Sequence, residues 1–127
     1  MLSSAPLEAG PEALAEAKAY LRVEGTGEDP LIGRLVGSAA ELCEQFTGQV
    51  LIRRDFEDVI PAASAWTRLG AGPVRAIAGF ETAPTTGEPE TLGGDLYAVD
   101  IDAMGDGWVR LTTPRAGRVR VRFEAGI

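Results

Sequence analysis

The sequence contains no histidine and only one cysteine. Without histidine it lacks the commonest general base and the commonest metal ligand. Serine–histidine and cysteine–histidine nucleophile systems are excluded as written. One cysteine cannot close an internal disulfide, which makes a reducing, cytoplasmic place of synthesis the default expectation. No apolar run approaches the roughly 20 residues that a membrane helix needs. The longest candidate, residues 35–42, is interrupted by Gly37 and Ser38. The opening Met-Leu-Ser-Ser-Ala-Pro shows no basic region followed by an apolar stretch, so no secretory signal is expected.

What is present suits a folded domain. The chain has 127 residues, 45% hydrophobic and 24% charged, which predicts one domain, residues 1–127, with a core of its own. The formal net charge is −7, unevenly spread. Residues 1–50 carry eight acids and three bases, and residues 51–109 carry ten acids and four bases. Residues 110–127 reverse the sign, with one acid and five bases. An acidic body with a basic C-terminal strip disfavours general DNA binding, which needs a positive surface that releases counterions.

The N-terminal third predicts two helices. Pro11 suits a first helical turn, and Ala13, Leu14, Ala17, Tyr20 and Leu21 recur at helical spacing to about Val23. The stop is expected at Gly25-Thr26-Gly27. The second helix, about 30–47, has Asp29 as a plausible N-cap, Pro30 in the first turn and Gly48 as the terminating residue. Its apolar stripe comprises Leu31, Ile32, Leu35, Val36, Ala39, Leu42, Cys43 and Phe46. Beyond Gly48, short alternating runs predict strands within 50–60, 74–82, 96–102, 107–112 and 118–124. Gly105-Asp106-Gly107 reads as a tight turn and 83–95 as a surface loop. The expected fold class is α+β, an N-terminal helical hairpin followed by an antiparallel β region.

No group of residues forms a catalytic constellation. Cys43 lies on the apolar stripe, so a buried, inert thiol is expected; its charged neighbours Glu41 and Glu44 are acidic, not the electropositive groups that activate a thiol. Asp100, Asp102 and Asp106 fail the calcium-loop pattern, because Met104 and Leu111 stand where ligands belong. Carboxylate pairs such as Asp55, Glu57 and Asp58 are common in acidic chains. Gly70-Ala71-Gly72-Pro73 lacks the lysine and the following helix of a phosphate loop. No catalytic residue, metal or cofactor is therefore expected.

Two features bear on assembly. Gly33 and Gly37 are one helical turn apart, and they either admit a close backbone or are tolerated surface glycines. Arg118, Arg120 and Arg122 share one strand face, as either the wet side of an edge strand or a contact surface for acids on a neighbour.

The segments Glu16-Ala17-Lys18-Ala19-Tyr20-Leu21-Arg22-Val23, Glu28-Asp29-Pro30-Leu31-Ile32 and Glu44-Gln45-Phe46-Thr47-Gly48 resemble the opening of phage head–tail connector, or adaptor, proteins. Pro73-Val74-Arg75-Ala76-Ile77, Tyr97-Ala98-Val99-Asp100 and the closing Arg120-Val121-Arg122-Phe123-Glu124-Ala125-Gly126 resemble later strands of that family. The composition would also suit the adaptor of a gene transfer agent. Family members usually continue beyond the Ala-Gly turn into a helical segment that helps docking on the portal, and this sequence ends there.

The resemblance implies a structural protein, not an enzyme. It implies a homo-oligomeric ring, commonly a dodecamer, between the portal protein and a stopper or other tail component, assembled in the bacterial cytoplasm and resident at the head–tail junction. DNA would pass through without specific binding, along an acidic lining. Subunit contacts are expected to set Gly33, Gly37, Glu41 and Glu44 against Arg118, Arg120 and Arg122. The alternatives are a stopper or tail-completion protein of the same particle and, remotely, a carboxylate-based enzyme.

Overall fold

The computed structural model describes residues 1–4 and 10–127. By its contacts the chain divides into two compact units: Pro6–Leu51, and Met1–Ala5 with Ile52–Ile127. The fold class is α+β, with the helices first and antiparallel strands after them.

The helical unit holds α1 (Pro11–Leu21) and α2 (Asp29–Thr47). Helix α1 ends earlier than its glycines suggest. Arg22 takes the left-handed conformation, φ 57°, and its N–H reaches the Ala19 carbonyl while that of Val23 reaches Lys18, which satisfies the last carbonyls. Lys18 also ties down the connection. Its ammonium donates to the Gly25 carbonyl at 2.5 Å and pairs with Asp29 at 2.7 Å. Asp29 is therefore not the N-cap. It is the first residue of α2, and Glu28, whose side chain makes no capping bond, occupies the cap position. Gly48, φ 70°, closes α2 as expected, donating to the Glu44 carbonyl at 2.9 Å.

The β unit contains seven strands: β1 (Leu2–Ser4), β2 (Arg54–Pro61), β3 (Thr67–Arg68), β4 (Val74–Thr82), β5 (Tyr97–Ile101), β6 (Gly107–Leu111) and β7 (Arg118–Ala125). They form one sheet of order β1-β2-β7-β4 and a second of order β3-β6-β5, antiparallel throughout. The period-two pattern of β7 determines its faces. Val119, Val121, Phe123 and Ala125 point inward and are inaccessible to water, alongside Phe56 and Ile60 of β2 and Val74 and Phe80 of β4. Phe123 stacks on Phe56 with ring centres 5.7 Å apart. From the second sheet Val109 and Leu111 are buried, and Phe80 stacks on Tyr97 at 4.0 Å, which links β4 to β5.

Two short strands, β1 and β3, escaped the sequence reading because two or three residues are too few to show a period. The segment 83–95 is more than a surface loop. It folds back along the end of β4, with Thr82 N–H on the Glu90 carbonyl and Leu92 N–H on that of Phe80, and buries Leu92. The β5–β6 turn is organised by Asp102, whose carboxylate accepts the N–H groups of Met104 and Asp106 at 2.9 and 3.0 Å and the Trp108 indole N–H at 2.9 Å. A side chain at Gly107 would meet Val74 at 2.8 Å and Leu69 at 3.0 Å, so this position needs glycine for space.

Truncating Phe123 to alanine removes a large side chain from the closed core. A loss of about 3–5 kcal/mol is expected in urea unfolding. Phe46→Ala, at a position 93% exposed, should stay within about 0.5 kcal/mol when monomer is unfolded.

Candidate functional site

The surfaces offered to a partner start with α2. Of its eight stripe residues only Ile32 is buried, and Val36 is half-buried. Leu31, Leu35, Leu42 and Phe46 are exposed, Leu42 by 66%. Their spacing of four, seven and four residues places them on one side of the helix, roughly a quarter turn from the Ile32 side. The expectation of one inward stripe is thus corrected: the helix is broad enough in apolar residues to cover its own unit and still present a second apolar face. Cys43 is exposed as well, not buried.

The interface residues read from the sequence have different surroundings. Gly33 has open space where a Cβ would stand, whereas Gly37 is buried. Glu41 is exposed, while Glu44 accepts the Leu51 N–H at 3.1 Å. On the outer face of β7, Arg120 and Arg122 stand between Glu57 of β2 and Glu81 of β4. Arg120 lies 3.7 Å from Glu57 and 3.0 Å from Glu81; Arg122 lies 3.5 and 3.1 Å from the same two carboxylates. Two of the three arginines are therefore neutralised by their own sheet. Arg118, exposed beside Pro61 at the end of β7, has no ion-pair partner among the described residues.

A second group went unnoticed in the sequence. The chain has two tryptophans, and each begins a Trp-x-Arg triplet: Trp66-Thr67-Arg68 and Trp108-Val109-Arg110. The triplets meet antiparallel, with Thr67 opposite Val109 and Arg68 opposite Trp108. Val109 is fully buried, so the tryptophans and arginines take the outward face by alternation. The Arg110 guanidinium lies over the Trp66 ring at 5.1 Å. The repeated triplet was the available signal, and it needed the strand register to acquire meaning.

A groove of about 500 Å³ on the outer face of the first sheet is lined by Ser3, Asp55, Glu57, Ala76, Arg122 and Glu124 among others, with no cysteine or lysine among its lining residues. Among the described residues no group of three His, Cys, Asp or Glu side chains is placed to hold a metal ion.

No family model and no curated protein matches the sequence. Solved structures match over 99% of the chain. One is in the neck of an empty gene transfer agent (GTA) particle computed with C6 symmetry, with a TM-score of 0.74 and 22% identity, and this chain covers 71% of that chain. The fold is that of a gene transfer agent neck chain. A chain of the virion of the native GTA particle matches over the same shares with a TM-score of 0.68 and 22% identity. The likeness to a neck agrees with the head–tail connector resemblance read from the residues.

The carboxylate–arginine lattice has a pH signature. The hydrogen bond from Arg120 holds the Glu81 carboxyl below its ordinary value of 4.5, with help from the charges of both arginines and some opposition from burial. A carboxyl depressed in the folded state stabilises fully above about pH 4.5, and that stabilisation disappears as pH falls through the lower folded-state value. Glu81→Gln should therefore lower Tm at pH 7, with the gap to wild type closing on acidification below pH 4.5. Thermal melts at several pH values check this, and high salt should narrow the gap at pH 7 because the lattice is largely solvent-facing.

Proposed function

We propose that the chain is a non-enzymatic structural component of a phage-like particle, an adaptor whose copies form a ring between portal and tail. The observation that carries this reading is the shared fold with a chain of a GTA neck over 99% of the sequence. The uncovered apolar face of α2 supports it, since an isolated soluble chain has no use for four large apolar side chains in one exposed row. The C6 symmetry of that neck is compatible with twelve copies as well as six.

In this reading the helical unit of one copy meets the β unit of the next, with Glu41 and Arg118 free to take part. Gly33 leaves room beside α2 for a close neighbour. Gly37 and Glu44 serve their own unit first, and the Arg120–Arg122 pair contributes as a neutral lattice rather than as bare positive charge. The excess of carboxylates makes a lumen that repels phosphate, so DNA slides through without a grip. The particle places its copies at the head–tail junction, against portal on one side and a stopper or other tail component on the other.

Mixing the purified chain with purified portal should yield a ring-on-ring complex visible by electron microscopy, with carboxylates rather than arginines toward the axis. A chain that ignores portal and binds only tail components would instead be the stopper or tail-completion protein.

A further inference from the structure

We propose that the Trp66–Arg68–Trp108–Arg110 face of one copy is the seat for the α2 apolar face of the next copy. The proposal rests on the ring reading above and names the two surfaces that would build it. A closed ring of more than two copies uses a heterologous contact, in which each copy presents two different patches and buries both. The chain offers such a pair, one on each unit.

The first patch is the row Leu31, Leu35, Leu42 and Phe46, with Arg34 and Glu41 exposed along one flank. Residues 1–50, which hold it, carry eight acids against three bases, and residues 51–109, which hold most of the second patch, carry ten against four, so complementarity has to come from individual side chains. The second patch is the outward face of β3 and β6. Trp66 is 47% exposed there, and Arg68 is exposed. Tryptophan and arginine are the side chains most enriched at the centres of protein interfaces, because each brings a large flat apolar area together with a polar group.

The charges complement each other. Arg110 stacks on Trp66, but its Nε is buried with no hydrogen-bond acceptor. Neither Arg68 nor Arg110 has an ion-pair partner among the described residues. The outer face of the first sheet is the opposite case, since Arg120 and Arg122 there are matched by Glu57 and Glu81. The acids near the tryptophan face lie at its β5 side: Asp102 is engaged by the Trp108 indole and two backbone N–H groups, while Asp100, opposite Trp108, is exposed and has no ion-pair partner among the described residues. An apolar helix face edged by Glu41 and Arg34 supplies a cover for Trp66, a carboxylate for the arginines and a guanidinium for Asp100.

The test uses two full-length variants, each damaged on one patch. Leu35→Glu with Leu42→Glu spoils the helix face, and Trp66→Ala with Arg110→Glu spoils the sheet face. Sedimentation velocity and native mass spectrometry should find wild-type rings and find each variant alone as monomer. An equimolar mixture of the two variants should give a one-to-one heterodimer that grows no further, because only one intact pair of patches remains; its formation also shows that both variants fold. Both tryptophans lie on the proposed seat, so wild-type rings should show at least a twofold smaller acrylamide-quenching constant than the helix-face variant. Rings formed by either variant alone, or a mixture that stays monomeric while wild type forms rings, would overturn these surfaces and leave the ring reading standing. A wild-type chain that remains monomeric both alone and with portal would remove both.

Discussion

Strand β7 pairs with β2 on one side and β4 on the other, and its inward residues Val119, Val121, Phe123 and Ala125 are each at most 1% exposed. The β unit is organised around that dry row. The row sets the register of both neighbours, because a slip of one residue would turn four apolar side chains outward and four charged ones inward. It also sets the opposite face, since fixing Phe123 inward places Arg122 beside Glu57 and fixing Val121 inward places Arg120 beside Glu81. Packing on one side of the strand thereby determines electrostatics on the other.

The two sheets use tryptophan, arginine and glutamate to different ends. On the first, acids and bases from adjacent strands cancel, leaving a polar surface with little unspent charge. On the second, arginines are opposed by aromatic rings rather than carboxylates, and the positive charge stays available. A similar contrast runs along α2, whose Ile32 side is covered and whose leucine side is open. Covered and open faces on the same elements are what the proposed assembly would draw on.

Much of the fold was legible from residue order. The alternation in 118–124 and the Pro30 and Gly48 boundaries of α2 name the elements correctly because each rests on a local steric or periodic rule. What was not legible depended on pairing. Cys43 and the leucines of α2 carry the helical period of a buried stripe, but the sequence cannot tell which portion of a broad apolar arc a small partner will cover. The arginine strip likewise looked like free charge until β2 and β4 supplied Glu57 and Glu81 from 63 and 39 residues away along the chain. The Trp-x-Arg triplets are 42 residues apart and form a group only through the β3–β6 register.

The lone thiol of Cys43 has a practical consequence. It stands on the surface of a helix, and no second cysteine exists to compete with it. A maleimide dye or spin label will therefore attach at one known place per copy without mutagenesis, so distances between labels become distances between equivalent points of an assembly. The same solitude makes handling in air hazardous, because oxidation can join the thiols of two copies directly and mimic association that the protein surface did not specify.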